Sequence, residues 1–259
     1  MSDFDTLVPS GLVDFLDLGS ARRIVDVGCG SGKFTSYLLG QAPPGAVAIG
    51  MDIDPSVLRE GQSADDVGFI LAAAEQIPIL SNWADLVICR RLLMNLPRPS
   101  AALEEMVRTA KRDALVAAIE PDFLAERGHS TVPGELEFLR KLLLLTSEGS
   151  DLGFGAKCVV LFKEVGLSEV DAFVHSPATI GGGDCFPTAH RERSPQRLAD
   201  LVAKWRMELE PNLGRTDLEA LMKEASDLDG VRDQQVRSGE YASSSSFPLW
   251  IVRGRKVIK

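Results

Sequence analysis

One turn constrains this chain more than any other stretch: "IVDVGCGSGKFTSYLL", Ile24 to Leu39. A short apolar run leads straight into glycines at positions 28, 30 and 32, and a segment of helical character follows. Strand, glycine-rich turn and helix in that order open a βαβ unit, and such turns commonly face a ligand.

Apolar runs near Arg23–Gly28, Val47–Ile53, Val67–Leu71, Asp85–Arg90 and Ala114–Glu120 read as strands. They are nearly continuous in Val, Ile, Leu and Ala, the pattern of strands buried on both faces of a parallel sheet. Helices are predicted between them near Lys33–Gly40, Ser56–Gln62 and Ser100–Lys111. In the last, Leu103, Met106, Val107 and Ala110 share one face while Glu104, Glu105 and Arg108 point away. Ser100 and Asp54 are the expected N-caps. This alternation predicts an α/β fold built on a doubly wound, mostly parallel sheet.

The pattern changes after Glu120. Helices are expected over Val132–Glu148 and Gly155–Val165, then a strand over Ser168–His175. The stretch "IGGGDCFPTAHRERSP" reads either as ordinary loop chemistry or as a mobile lid, ending in a helix start at Ser194–Pro195. Two helices near Pro195–Glu210 and Thr216–Leu228 follow, and the serine run Ser243–Ser246 precedes a final strand, Pro248–Gly254. These boundaries divide the chain into a core (1–176), a helical insertion (177–246) and a last core strand (247–259).

Spacing narrows what the glycine turn can hold. A nucleoside-triphosphate loop with Gly32–Lys33 would need glycine where Val27 stands and a hydroxyl where Phe34 stands. The dinucleotide fingerprint fits Gly28 and Gly30 but finds Lys33 in place of its third glycine. Asp26, two residues before Gly28, suits an ammonium group better than a pyrophosphate; alternatively it only caps the turn. Asp52, at the tip of the second strand, can accept both hydroxyls of a ribose. Asp54, beside Pro55, is assigned to capping.

Together these residues resemble the class I S-adenosylmethionine-dependent methyltransferases. "VDVGCGSG" is similar to that family's first motif, "GMDIDPSVL" to its acidic loop, and "AAAEQIP" to a stretch usually written GDAExLP. "ADLVICRRLLMNLPRPSAALEEMVR" and "ALVAAIEPD" resemble the fourth-strand segment and the fifth strand, and "PLWIVRGRK" the last antiparallel strand. The resemblance implies a seven-stranded, mostly parallel sheet, the Rossmann-like methyltransferase fold, with a helical cap. It further implies S-adenosyl-L-methionine as cofactor and S-adenosyl-L-homocysteine as product. Asp26, Gly28, Gly30 and Gly32 should then surround the methionine moiety, Asp52 the ribose and Ile53 the adenine. Ala74 and Glu75 should meet the adenine edge, and Arg90 should lie close to the cofactor. Two departures stand out: Ala73 replaces the family's usual Asp, and "KRDA" replaces a Pro-Gly-Gly type of turn.

Methyl transfer from a sulfonium asks the protein mainly to align, to exclude water and, for a protonated acceptor, to take a proton. Candidates at the carboxyl ends of the fourth and fifth strands are Arg91, Asn95 and Glu120. Glu120 is a base or a cap; Arg91 pairs with an anionic substrate or is solvated; His129 and His190 lie in loops able to close over the site. Cover by 132–148 and by the insertion favours a small or medium-sized organic acceptor. A tRNA or protein methyltransferase and a non-catalytic cofactor-binding relative are the alternatives.

The formal charge of −9 disfavours nucleic acid and anionic membrane surfaces as partners. The N-terminus shows no basic region or apolar signal core, and no apolar run approaches the length of a membrane span. Four widely spaced cysteines predict reduced thiols, and no His or Cys spacing suggests a metal. A cytoplasmic monomer or homodimer is the resulting expectation.

Overall fold

The computed structural model describes residues 9, 11–61, 67–147, 149–176, 178–181, 197–210 and 213–257. Contacts divide the chain into two units. The first comprises Met1–Ala125, Ser150–Pro177 and Pro248–Lys259; the second comprises Glu126–Gly149 and Ala178–Phe247.

In the first unit, α1 (Leu12–Phe15) precedes β1 (Arg23–Val27), α2 (Lys33–Gln41), β2 (Val47–Asp52), α3 (Pro55–Gly61), β3 (Val67–Leu71), β4 (Ala84–Arg90), α4 (Pro99–Thr109) and β5 (Ala110–Pro121). Seven strands form one sheet in the order β3-β2-β1-β4-β5-β10-β7, with β7 spanning Ser168–His175 and β10 spanning Leu249–Arg255. The pairs among β1 to β5 are parallel, whereas β10 runs antiparallel to both β5 and β7. Sandwiched strands carry the expected unbroken apolar runs: Ile24, Val25, Leu86, Val87, Ile88, Val116 and Ala117 are all fully buried. The chain leaves β1 in one direction for β2 and in the other for β4. The crevice outside the carboxyl ends of β1 and β4 is therefore the switch point where such sheets bind ligands.

Two turns differ from expectation. Arg98 is the N-cap residue of α4 and Pro99 its first residue, so Ser100 lies inside the helix rather than at its cap. Proline's fixed φ suits the first helical position, where no N–H is needed. Strand β5 begins at Ala110, and Asp113 takes a φ of 60° in the place where a glycine would be at ease.

The second unit holds β6 (Arg127–Ser130), α5 (Glu135–Thr146), β8 (Ala178–Gly181), α7 (Leu198–Lys204), α8 (Arg206–Leu209), α9 (Arg215–Ser238) and β9 (Ser243–Ser246). (α6, Cys158–Glu164, belongs to the first unit and follows a short 3-10 turn at Gly155–Lys157.) Residues 126–149 thus belong with the insertion rather than with the core, because Phe138 and Leu142 of α5 pack against Leu198, Val202, Leu209, Leu218, Leu221 and Ala225. The serine run is itself a strand: β9 is the middle of a three-stranded antiparallel sheet between β6 and β8. Helix α9 continues ten residues past the expected Leu228, to Ser238. Its last turns are polar, yet Arg232 is buried between Glu135, at 3.0 Å, and Asp229. Asp229 also accepts the Leu198 and Ala199 amides at the start of α7. Gly239, at φ 76°, ends the helix.

Candidate functional site at the carboxyl end of the sheet

The glycine turn folds back on the tip of β2. Gly28 and Cys29 both donate their N–H to the Met51 carbonyl, at 2.8 and 2.9 Å. All three glycines have positive φ, at 72°, 55° and 74°. What stands beside them differs. A Cβ on Gly28 would lie 2.8 Å from Leu92, and one on Gly32 would lie 2.5 Å from the Phe69 ring, whereas one on Gly30 meets nothing within 4 Å. Of the three, Gly28 and Gly32 leave room for the Leu92 and Phe69 side chains, and Gly30 borders open space.

Asp52 is half-buried and bridges two loops. Its Oδ2 accepts the Gly30 N–H at 2.8 Å, and its Oδ1 accepts the Asp54 N–H at 3.0 Å. Asp54 in turn accepts both the N–H and the hydroxyl of Ser56, at 2.7 Å each, which caps α3. Those hydrogen bonds hold the Asp54 carboxyl below its ordinary value. Ile53, between the two acids, is 71% exposed. Ala72 donates to the Asp52 carbonyl at 3.0 Å, which brings the segment of Ala73, Ala74 and Glu75 alongside; Ala74 is buried and Glu75 half-buried.

Asp26 is 1% exposed. Its Oδ2 accepts the Thr35 hydroxyl at 2.6 Å, and its Oδ1 is buried without a partner among the described residues. Burial pushes its pKa up to about 7, against the Thr35 hydrogen bond and the Arg90 charge. Arg90 leaves β4 beside it, with its guanidinium carbon 4.7 Å from the Phe34 ring centroid. Burial lowers the Arg90 pKa, and the Asp26 charge opposes that shift.

Glu120 is 0% exposed. Its Oε1 accepts the Leu92 and Leu93 N–H groups at 2.8 Å each, while Oε2 is buried without a partner among the described residues. Desolvation raises its pKa to about 7. Of the two roles expected for it, base or cap, these bonds show the carboxyl holding the loop after β4 in place. Asn95 is also occupied: Nδ2 donates to the Arg91 carbonyl at 2.8 Å, and Oδ1 accepts the Ser150 hydroxyl at 2.8 Å. Arg91 is exposed, with its guanidinium carbon 5.8 Å from the Phe123 ring centroid.

The structure therefore brings Asp26, Gly28, Gly30, Gly32, Asp52, Arg90, Arg91, Asn95 and Glu120 into one connected arrangement at the carboxyl ends of β1, β2, β4 and β5. His129 lies on β6 in the second unit, and His190 and the helix start at Ser194–Pro195 lie outside the described residues. Among the described residues no group of His, Cys, Asp and Glu could hold a metal, and no helix is long and apolar enough to cross a membrane. Thr35, Phe69 and Leu92 were missed from sequence. Helix periodicity alone flags Thr35, one turn below Gly32 on the face toward β1; the other two give no local signal.

Comparison with known proteins agrees with this geometry. Residues 25–118 match the family model described as a methyltransferase domain. A trans-aconitate 2-methyltransferase of Methylobacterium nodulans is 29% identical over 149 residues, covering 54% of this chain and 55% of that protein. A ubiquinone/menaquinone biosynthesis C-methyltransferase of Burkholderia vietnamiensis is 32% identical over 103 residues, covering 38% and 42%. The chain spans about half the length of the curated relatives it matches. In fold, it is similar to the YcgJ protein of Bacillus subtilis, with a TM-score of 0.58 at 15% identity over 99% of this chain and 100% of the other. It is also similar to phosphoethanolamine N-methyltransferase 2 of Haemonchus contortus, with a TM-score of 0.55 at 13% identity over 99% of this chain and 53% of the other.

Proposed function

We propose that this chain, whose residues 25–118 match a methyltransferase domain, is a class I S-adenosylmethionine-dependent methyltransferase that transfers a methyl group to a small or medium-sized organic acceptor. The observation that carries the proposal is the tip of β2. There Asp52 is half-buried and tied to the Gly30 amide, Gly30 borders open space, and Ile53 stands 71% exposed beside them. A carboxylate for paired hydroxyls next to an exposed aliphatic side chain fits an adenosine better than a free phosphate.

S-adenosyl-L-methionine supplies, when bound, a methyl group already activated as a sulfonium. The chain's part is to hold and orient. Asp52 takes the ribose hydroxyls, Ile53 packs on the adenine, and Ala74 and Glu75 line its edge. With Ala73 in place of the family's usual Asp, adenine recognition falls to backbone groups, to Glu75 or to water. Gly28, Gly30 and Gly32 shape the backbone around the methionine moiety, with Gly30 its point of approach. Asp26 and Arg90 set the charge balance beneath it. Alignment and exclusion of water provide the rate, with no side chain assigned as base.

Among relatives, the names cover an organic acid and quinone precursors, and the Haemonchus structure holds S-adenosylhomocysteine and phosphomonomethylethanolamine. These favour a small acceptor over tRNA or protein. Isothermal titration with S-adenosylmethionine and S-adenosylhomocysteine tests the cofactor, and binding of neither would end the enzymatic reading. A screen with labelled cofactor then tests the acceptor. Transfer only to tRNA or protein would replace the small-molecule reading.

A further inference from the structure

Arg91 holds a backbone conformation that an arginine does not favour. Its φ is 54°, in the left-handed region. Three sets of contacts keep it there. Its N–H donates to the Ile119 carbonyl at 2.9 Å, and the Asn95 side chain donates to its own carbonyl at 2.8 Å. The next two amides, Leu92 and Leu93, both donate to the buried Glu120. Asn95 is itself fixed by Ser150. A glycine would make the same bend without strain, so the bend alone does not explain the residue. Strain that the surroundings over-determine tends to sit where a side chain must be presented.

The presented group is a guanidinium. It is exposed, lies near the face of Phe123, and forms no ion pair among the described residues. Arg90 adds a second positive charge at the same strand end, in a chain whose net charge is −9. The position is the carboxyl end of β4, at the switch point of the sheet, which makes it a ligand-facing place rather than an arbitrary surface. A planar fork of donors is suited to carboxylate and phosphate oxygens.

We propose that Arg91 is the residue that recognises the acceptor, and that the acceptor carries an anionic group, a carboxylate or a phosphomonoester. This rests on the methyltransferase reading and adds to it the acceptor's charge class. Glu120 and Asn95 are positioning residues that keep Arg91 in its bend.

The test uses the full chain and two variants, Arg91→Gly and Arg91→Lys. Glycine keeps the bend and removes the cation, which separates loss of charge from loss of fold. Malonate and inorganic phosphate are titrated separately, read by thermal denaturation and by the chemical shift of the Arg91 Nε–H. At least one anion should raise the wild-type midpoint and move that resonance. Its apparent affinity should fall at least tenfold in Arg91→Gly and recover in part in Arg91→Lys. A response to malonate alone marks the group as a carboxylate, and one to phosphate alone as a phosphomonoester. No response in the wild type, or an equal one in Arg91→Gly, overturns the proposal. Cofactor titration on the same proteins reports on the methyltransferase reading separately, since the anion response needs no cofactor.

Discussion

The Asp52 carboxylate accepts the Gly30 N–H at 2.8 Å, across 22 residues of sequence. The acid at the tip of β2 therefore holds the glycine turn after β1, in addition to the ribose contact proposed for it. Substitution at Asp52 should act through both. Asp52→Ala should weaken S-adenosylmethionine binding by about 1–3 kcal/mol, the scale of hydrogen bonds to a charged group. Calorimetric titration measures this, and an unchanged dissociation constant would show that the ribose contact is misplaced.

The glycines should separate by what their Cβ would meet. Gly32→Ala places a methyl 2.5 Å from the Phe69 ring as well as straining a φ of 74°. Gly30→Ala meets only the backbone strain. Gly32→Ala should lose about 1–3 kcal/mol more than Gly30→Ala in urea denaturation, the range for overpacking a tight site. Pairing it with Phe69→Ala should relieve the clash, so less-than-additive loss is expected; additive losses would contradict the contact.

Asp26 and Glu120 give stability a definite pH dependence. Burial raises both carboxyls to about 7, from ordinary values of 3.8 and 4.5. Between those limits the folded chain binds more protons than the unfolded one. The contribution is therefore complete below about pH 4 and fades as pH rises through about 7. Chemical denaturation at pH 5 and pH 8 should show the lower stability at pH 8. Glu120→Gln should flatten part of that slope, and an identical slope in the variant would mean that Glu120 titrates normally.

The Arg232 cluster should tolerate breakage badly. Arg232, Glu135 and Asp229 are all buried, and Asp229 also caps α7. Asp229→Ala removes the cap and one carboxylate partner of Arg232, which should cost about 3–5 kcal/mol. Loss of helical circular dichroism at lower temperature than the wild type checks this. A midpoint shift below 2 °C would mean that the cluster is better hydrated than its burial indicates.

What was legible in the sequence was what repeats locally. Val47–Asp52 and Ala84–Arg90 announce themselves as strands because burial on both faces demands unbroken apolar runs. The place of Asp52 at the tip of β2, beside the glycine turn, was legible because the βαβ unit fixes its distance from the glycines. Glu120 was left open between base and cap for the opposite reason: only the three-dimensional return of Leu92 and Leu93 shows which donors its carboxyl meets. The serines of β9 lack any strand signature, because main-chain pairing with β6 and β8 defines that strand rather than its side chains. The polar end of α9 hid in the same way, its buried charges being matched by partners distant in sequence.

The second unit is spelled by two separate stretches of chain, 126–149 and 178–247, and β6 from the first is bonded to β9 from the second. Neither stretch can be swapped, shortened or borrowed from a cousin by itself without leaving a sheet that lacks a strand. Exchange of this unit as a cassette would have to move both pieces at once. Gradual substitution within the unit is the easier evolutionary route, and the same constraint faces anyone who tries to redesign it.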